Sequence, residues 1–393
     1  MNGYISKKIE NYISSASWIR KMFEAGAELK KKFGAENVFD FSLGNPDVPP
    51  PAKFFEILKN KSLEINPINH GYMPNAGYAA TREKLAETLK KIYNAPQIEA
   101  NNIIMTTGAA GAINIALKSI LETGEEVIII APYFVEYKFY IDNHNGVPIV
   151  AESTENFDLD INELEKKITV KTRAIIINSP NNPTGKVYTK SNLQKLAELL
   201  EHYSNKHGRP IFIISDEPYI SIVYENLEAP SLLNIYKNTI IANSYSKELS
   251  LPGERIGYAL INPQCEGKKE LFDALTLCNR ICGFVNAPAL MQRIIAELTD
   301  VKVNITIYQK RRDLFYDMLI DLGYELYKPE GAFYLFVKSP IVDDVQFVNK
   351  LLQYNILAVP GIGFGRAGYF RLAYCVNENV ILNSRSGFEK AKK

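Results

Sequence analysis

Among its 393 residues the chain has few cysteines and histidines, four of each, and one tryptophan. The cysteines are Cys265, Cys278, Cys282 and Cys375. None forms a C-x-x-C pair, and Cys278 and Cys282 are spaced like neighbours on a helix face. That excludes a disulfide framework and points to free thiols in a reducing cytoplasm. His70, His144, His202 and His207 show no H-E-x-x-H spacing, so no catalytic metal is expected. No apolar run approaches the roughly 20 residues of a membrane span. The stretch Met1–Arg20 has no apolar h-region, so a secretory signal is not expected and a cytoplasmic location is. A net charge of +1 gives neither nucleic acid nor a membrane surface an electrostatic reason to bind.

What the chain does have is length for a large core and a regular alternation of elements. Apolar runs read as buried strands at Ile103–Met105, Val127–Ile130, Pro148–Ala151, Ala174–Ile177, Ile211–Ile214, Thr239–Ala242 and Tyr258–Ile261. Helical stretches such as Ala112–Leu121 and Asn192–His202 lie between them. The rhythm predicts an α/β fold with a mostly parallel sheet covered on both faces. Before it come helical periodicity around Trp18, Ile19, Met22, Phe23 and Leu29, a Pro-rich turn at Gly44–Pro51, and helices at Phe54–Leu63 and Thr81–Tyr93. After it the pattern predicts one long helix over 289–321. A smaller α+β part follows, with strands at Gly331–Val337 and Tyr369–Tyr374 and a helix at Asp344–Tyr354. The expected division is a large domain over 48–290 and a small one from 1–47 and 291–393.

The residues that carry chemistry sit where strands end. Ser244-Tyr245-Ser246-Lys247 follows one apolar run, with Arg255 beyond a Pro-Gly turn. A lysine amine there can form a Schiff base with an aldehyde, and hydroxyls with an arginine suit a phosphate. The bland alternative for Lys247 is a solvated surface lysine. Thr106-Thr107-Gly108-Ala109-Ala110-Gly111 opens a helix whose N–H groups can face an anion, or is an ordinary tight turn. Phe134, after Pro132-Tyr133, can stack on a flat ring or sit in the core. Asn181-Asn182-Pro183-Thr184-Gly185 is a turn that places an amide at a strand end. Ser215-Asp216-Glu217-Pro218-Tyr219 sets a carboxylate and a phenol at another. Arg371, inside an apolar strand pattern, needs an internal carboxylate or a substrate's. Gly363, Gly365 and Gly368 match G-x-G-x-x-G but lack the following helix and the βαβ unit of a dinucleotide site.

Together and in this order, these stretches resemble the class I/II aminotransferases of pyridoxal-phosphate fold type I, the aspartate aminotransferase superfamily, from about Asn37 onward. The resemblance implies a large domain with a mostly parallel seven-stranded sheet covered by helices and a small α+β domain built from both termini. It implies that Lys247 holds pyridoxal 5'-phosphate covalently, Asp216 pairs with the ring nitrogen, Asn182 and Tyr219 contact the ring's 3-oxygen, and Phe134 stacks on the ring. Gly108, Ala109, Ala110, Ser244, Ser246 and Arg255 would hold the phosphate. Tyr72 would reach the phosphate of a neighbouring subunit, which implies a homodimer. Gly44, Asn182 and Arg371 would bind the substrate α-carboxylate.

The activity implied is transfer of an amino group between an L-amino acid and a 2-oxo acid in two half-reactions, of aspartate type or of broad specificity. Aspartate-using relatives of this kind carry a lysine in the phosphate turn. Ala110 stands at that place here, and Arg280 is a candidate substitute or an ion-pair residue. A C–S β-lyase acting on sulfur amino acids is the alternative, since the same cofactor serves it. A non-catalytic ligand-binding or regulatory protein is the remote one.

Overall fold

In the computed structural model, residues 3–14, 18–298 and 301–393 are described, and the chain forms two compact units. The larger comprises Pro46–Thr306 with Glu330–Ala332, and the smaller Met1–Asn45, Ile307–Pro329 and Phe333–Lys393. Among the described residues no helix is long and apolar enough to cross a membrane.

The larger unit is built on a seven-stranded sheet. Its order is Ile103–Thr106, Gly257–Ile261, Thr239–Ser244, Phe212–Asp216, Thr172–Asn178, Glu126–Ala131, Val147–Glu152. The apolar runs become these strands because all but the edge strand Val147–Glu152 are buried on both faces, where β-branched side chains pack well. All neighbours pair in parallel except Gly257–Ile261, which is antiparallel to both of its partners. One face of the sheet packs around Ile104, Ile214, Ala242, Ala259 and the helix Gly108–Ile120. On the other face, Ile103, Ile241, Tyr258 and Leu260 pack with Leu85, Leu89 and Tyr93 of the Ala79–Ile92 segment and its cap. Helix ends follow local chemistry. Lys190–His207 starts where the Thr189 hydroxyl accepts from the Asn192 N–H at 3.2 Å, and stops at Gly208 with φ +68°.

The single helix expected over 289–321 is instead two, Ala289–Ile295 and Thr306–Asp321. The second begins where Asn304 Oδ1 accepts from the Thr306 N–H at 3.1 Å and its hydroxyl at 2.6 Å, a capping signal within a pattern of continuous periodicity. Residues 299–300 within that expected span lie outside the described residues. Ala289–Ile295 packs on Ala52–Ser62 and Ala79–Ile92, so it belongs to the larger unit, which runs past the expected boundary at 290.

The smaller unit joins distant parts of the chain. Phe39–Asp40 pairs in parallel with Ile356–Leu357, and a three-stranded antiparallel sheet runs Val359–Pro360, Tyr369–Ala373, Tyr334–Lys338. The expected strand at Gly331–Val337 starts later, at Tyr334, because residues 331–333 form a turn in which Ala332 has φ +56°. Helices Trp18–Phe33, Thr306–Asp321, Asp344–Leu352 and Glu378–Lys392 complete it. Gly363 lies in the 3-10 turn Gly361–Phe364, Gly365 caps that turn, and Gly368 directly precedes the strand Tyr369–Ala373, so no helix follows them.

Candidate active site

Asp216 ends the Phe212–Asp216 strand and is 6% exposed. Its Oδ2 accepts from the Tyr137 hydroxyl at 2.5 Å, and its Oδ1 is buried with no hydrogen-bond partner among the described residues. Burial raises its pKa to about 7 against the opposing pull of the Tyr137 bond. The side chain of Asn178, on the neighbouring strand, donates to the Asp216 carbonyl at 2.9 Å, and its own Oδ1 accepts from the Asn182 N–H at 2.7 Å. Asn178 thereby fixes the turn that carries Asn182 against the strand end that carries Asp216. Tyr219 is buried just beyond and acts electrostatically on Tyr137. Phe134, half-buried, packs edge-on against Tyr137 with ring centroids 5.5 Å apart.

The phosphate residues expected from sequence gather at a second point. Gly108, Ala109 and Ala110 open the helix Gly108–Ile120, and its cap residue Thr107 makes no side-chain cap bond. The first N–H groups of a helix lack partners within it, and its dipole favours an anion there. Arg255 is exposed, has φ +51°, and bonds the Pro252 carbonyl at 2.8 Å and the Thr107 carbonyl at 3.3 Å. Its guanidinium thus lies against the start of that helix, beside Gly108. Gly257 sits under this turn. A Cβ there would meet the Asn243 carbonyl and approach Gly108 Cα to 2.8 Å, so only glycine lets strand and helix come together. Ser244 and Ser246 are buried at the start of the helix Tyr245–Glu248, and Lys247 within it is half-buried.

Gly44 and Arg371 are brought together in the smaller unit. Arg371 is 2% exposed, bonds the Ser42 carbonyl at 2.5 Å, and lies over the rings of Tyr334 and Phe364 at 4.6 and 4.8 Å. A carbonyl and two aromatic faces contact the guanidinium. The Tyr334 hydroxyl occupies the space a Cβ on Gly44 would need.

Two expected residues lie at the surface. Arg280 is exposed on the last turn of Lys268–Ile281 and makes no ion pair among the described residues. Tyr72 is 97% exposed. Sequence reasoning missed Tyr137, Asn178 and Tyr140. Tyr140 lies close enough to feel both Asp216 and Arg255, and burial drives its pKa far up. A signal for Tyr137 and Tyr140 was present, since helix Tyr137–Asn143 directly follows the Phe134 strand end.

The arrangement fits a flat cationic ring bearing a phosphate. A buried carboxylate oxygen has no partner among the described residues, Phe134 packs on the tyrosine that bonds the carboxylate's other oxygen, and the start of a helix lies against an arginine. A pyridinium N–H beside Oδ1 would satisfy the orphaned acceptor and favour the charged form of both groups.

Comparison with known proteins agrees. The family model for aminotransferase class I and II matches residues 36–383. A probable aspartate aminotransferase of Methanocaldococcus jannaschii is 32% identical over 385 residues, covering 96% of both chains. Aromatic-amino-acid aminotransferase 2 of Thermococcus litoralis is 31% identical over 388 residues, again covering 96% of each. A crystal structure of an amino transferase from Eubacterium rectale superposes with a TM-score of 0.94 at 39% identity, covering 99% of this chain and 98% of that one. The chain belongs to the class I and II aminotransferases of fold type I, which use pyridoxal 5'-phosphate to move an amino group between an amino acid and a 2-oxo acid.

Proposed function

We propose that this enzyme is a cytoplasmic homodimer of broad amino-donor range, with Lys247, Asp216 and Tyr219 at its chemical centre. One observation carries the assignment of the centre: the orphaned Oδ1 of buried Asp216. The bound cofactor supplies an electron sink for the pair released at the substrate Cα. Asp216 keeps the ring nitrogen protonated, and Asn182 and Tyr219 hold the ring's 3-oxygen. Phe134 fixes the ring plane, and Gly108, Ala109, Ala110, Ser244, Ser246 and Arg255 retain the phosphate. Lys247 would hold the cofactor, and its amine, when free, would act as the general base and acid for the proton at the substrate Cα. Arg371, with Gly44, would bind the α-carboxylate through the planar guanidinium fork.

Breadth follows from what reads the substrate side chain. Ala110 offers no charge to a distal carboxylate, and Arg280 is exposed on its helix. The relatives named above act, by their names, on aspartate in one case and on aromatic amino acids in the other. Exposed Tyr72 suits a residue that serves a neighbouring subunit, and free thiols suit a reducing cytoplasm. Sedimentation at equilibrium checks the dimer.

Single amino acids added to purified holoenzyme without a 2-oxo acid test the reading. Transamination converts the bound cofactor's visible band to that of its aminated form, with more than one donor effective. A Lys247→Ala variant should hold cofactor only reversibly and lose turnover. Ammonia released while the visible band persists would mean a lyase. A Lys247→Ala variant with full turnover would overturn the site.

A further inference from the structure

Asp216 and Glu217 are neighbours in sequence but face opposite sides of the sheet, because side chains alternate along an extended chain. Asp216 faces Tyr137. Glu217, 2% exposed, faces the side that holds Tyr93, Tyr245 and Tyr258. It accepts from the Ser215 hydroxyl at 2.6 Å and the Tyr93 hydroxyl at 2.8 Å, and its N–H donates to the Ala242 carbonyl at 2.9 Å. Tyr93 acts in turn on Tyr258, whose hydroxyl accepts from the Asn243 amide at 3.0 Å. Asn243 Oδ1 accepts from the Ser244 N–H at 2.6 Å, and Ser244 caps the short helix that carries Lys247. Buried polar side chains therefore lead from the residue after Asp216 to the start of the Lys247 turn.

This carboxyl has no evident packing purpose. No Lys, Arg or His pairs with it among the described residues. The groups acting on it are Ser215, Tyr93 and Asp216, with Tyr258 next along the chain and Glu248 acting on Tyr258. A buried acid without a cation is costly, and an apolar side chain would fill the place at lower cost.

We propose that Glu217 is a positioning residue for transamination. From the back of the sheet it locks the strand end of Asp216 to the turn of Lys247 through Tyr93, Tyr258 and Asn243. The proposal rests on the roles given above to Asp216 and Lys247. It also says why an acid stands here. Its two oxygens take both hydroxyls at once, and a proton on it reverses the donor at Tyr93 without breaking the chain.

The test compares wild-type holoenzyme with Tyr93→Phe, Glu217→Gln and Glu217→Ala, reading kcat, KM for an effective donor, cofactor retained after dialysis, and the pH profile of kcat. Tyr93→Phe keeps the ring packing and cuts the link. It should lower kcat by about tenfold while KM stays within about twofold. Glu217→Gln retains an acceptor for Ser215 and a partner for Tyr93. It should bring kcat to within about threefold of wild type and remove from the pH profile the titration that burial of Glu217 places at about 7. Glu217→Ala should lose both rate and cofactor retention. If it fails to fold, the other two variants decide. Wild-type kcat in Tyr93→Phe, or an unchanged pH profile in Glu217→Gln, overturns the proposal. Failure of the underlying reading shows differently, as wild-type protein that neither holds cofactor nor responds to any donor.

Discussion

Tyr137 and Asp216 show how one hydrogen bond can select between two chemically equal atoms. The phenol takes Oδ2, so Oδ1 is the oxygen left for a ligand. Without that bond the carboxyl could rotate and its pKa would rise further, since the bond opposes the effect of burial. Tyr137→Phe should therefore weaken cofactor binding by about tenfold or more, the usual worth of a bond to a charged group. Cofactor absorbance after dialysis measures the loss, and retention should fall most on the acidic side, where Asp216 is first protonated. Sequence showed Asp216, Asn182 and Tyr219 because each lies in a short motif at a strand end. It did not show Tyr137, 79 residues from Asp216, because nothing in the local pattern says which strand ends become neighbours.

Strands, helices and their junctions carry the next set of constraints. Gly257 begins the antiparallel strand, and the absence of its Cβ lets the Asn243 carbonyl and the start of the Gly108–Ile120 helix pack against it. Gly257→Ala should destabilise the protein by about 1–3 kcal/mol through overpacking, read as a lower melting temperature. Phosphate affinity should fall with it, since the helix start must shift. All seven strands were legible as apolar runs within a residue or two at most of their ends. The reversed direction of Gly257–Ile261 was not, because a strand buried on both faces looks the same in either direction. The break in the expected long helix was missed for a related reason. Periodicity continued across 296–305, and the Asn304–Thr306 cap was a signal of a different kind.

For the whole molecule, two buried acids couple stability to pH. Asp216 and Glu217 rise from ordinary values of 3.8 and 4.5 to about 7. The folded state therefore holds these protons more tightly than the unfolded one. Their contribution favours folding below about pH 4 and is lost as pH rises through about 7. In cofactor-free protein, Glu217→Gln should flatten the fall in melting temperature over that interval. Bound cofactor should remove the part due to Asp216, because a cation then sits beside it. The two-unit organisation was foreshadowed by the change from alternating strands and helices to a short α+β region. The pairing of Phe39–Asp40 with Ile356–Leu357 was beyond reach, since two-residue strands leave almost no pattern. That pairing also sets a timetable for synthesis. Every strand of the larger sheet has left the ribosome by Ile261, while Phe39 must wait for Ile356 before it has a partner. The smaller unit is thus completed only after every strand of the larger sheet has been made. Until then its first apolar segments, Phe41 and Met22 among them, are a nascent surface for chaperones to cover.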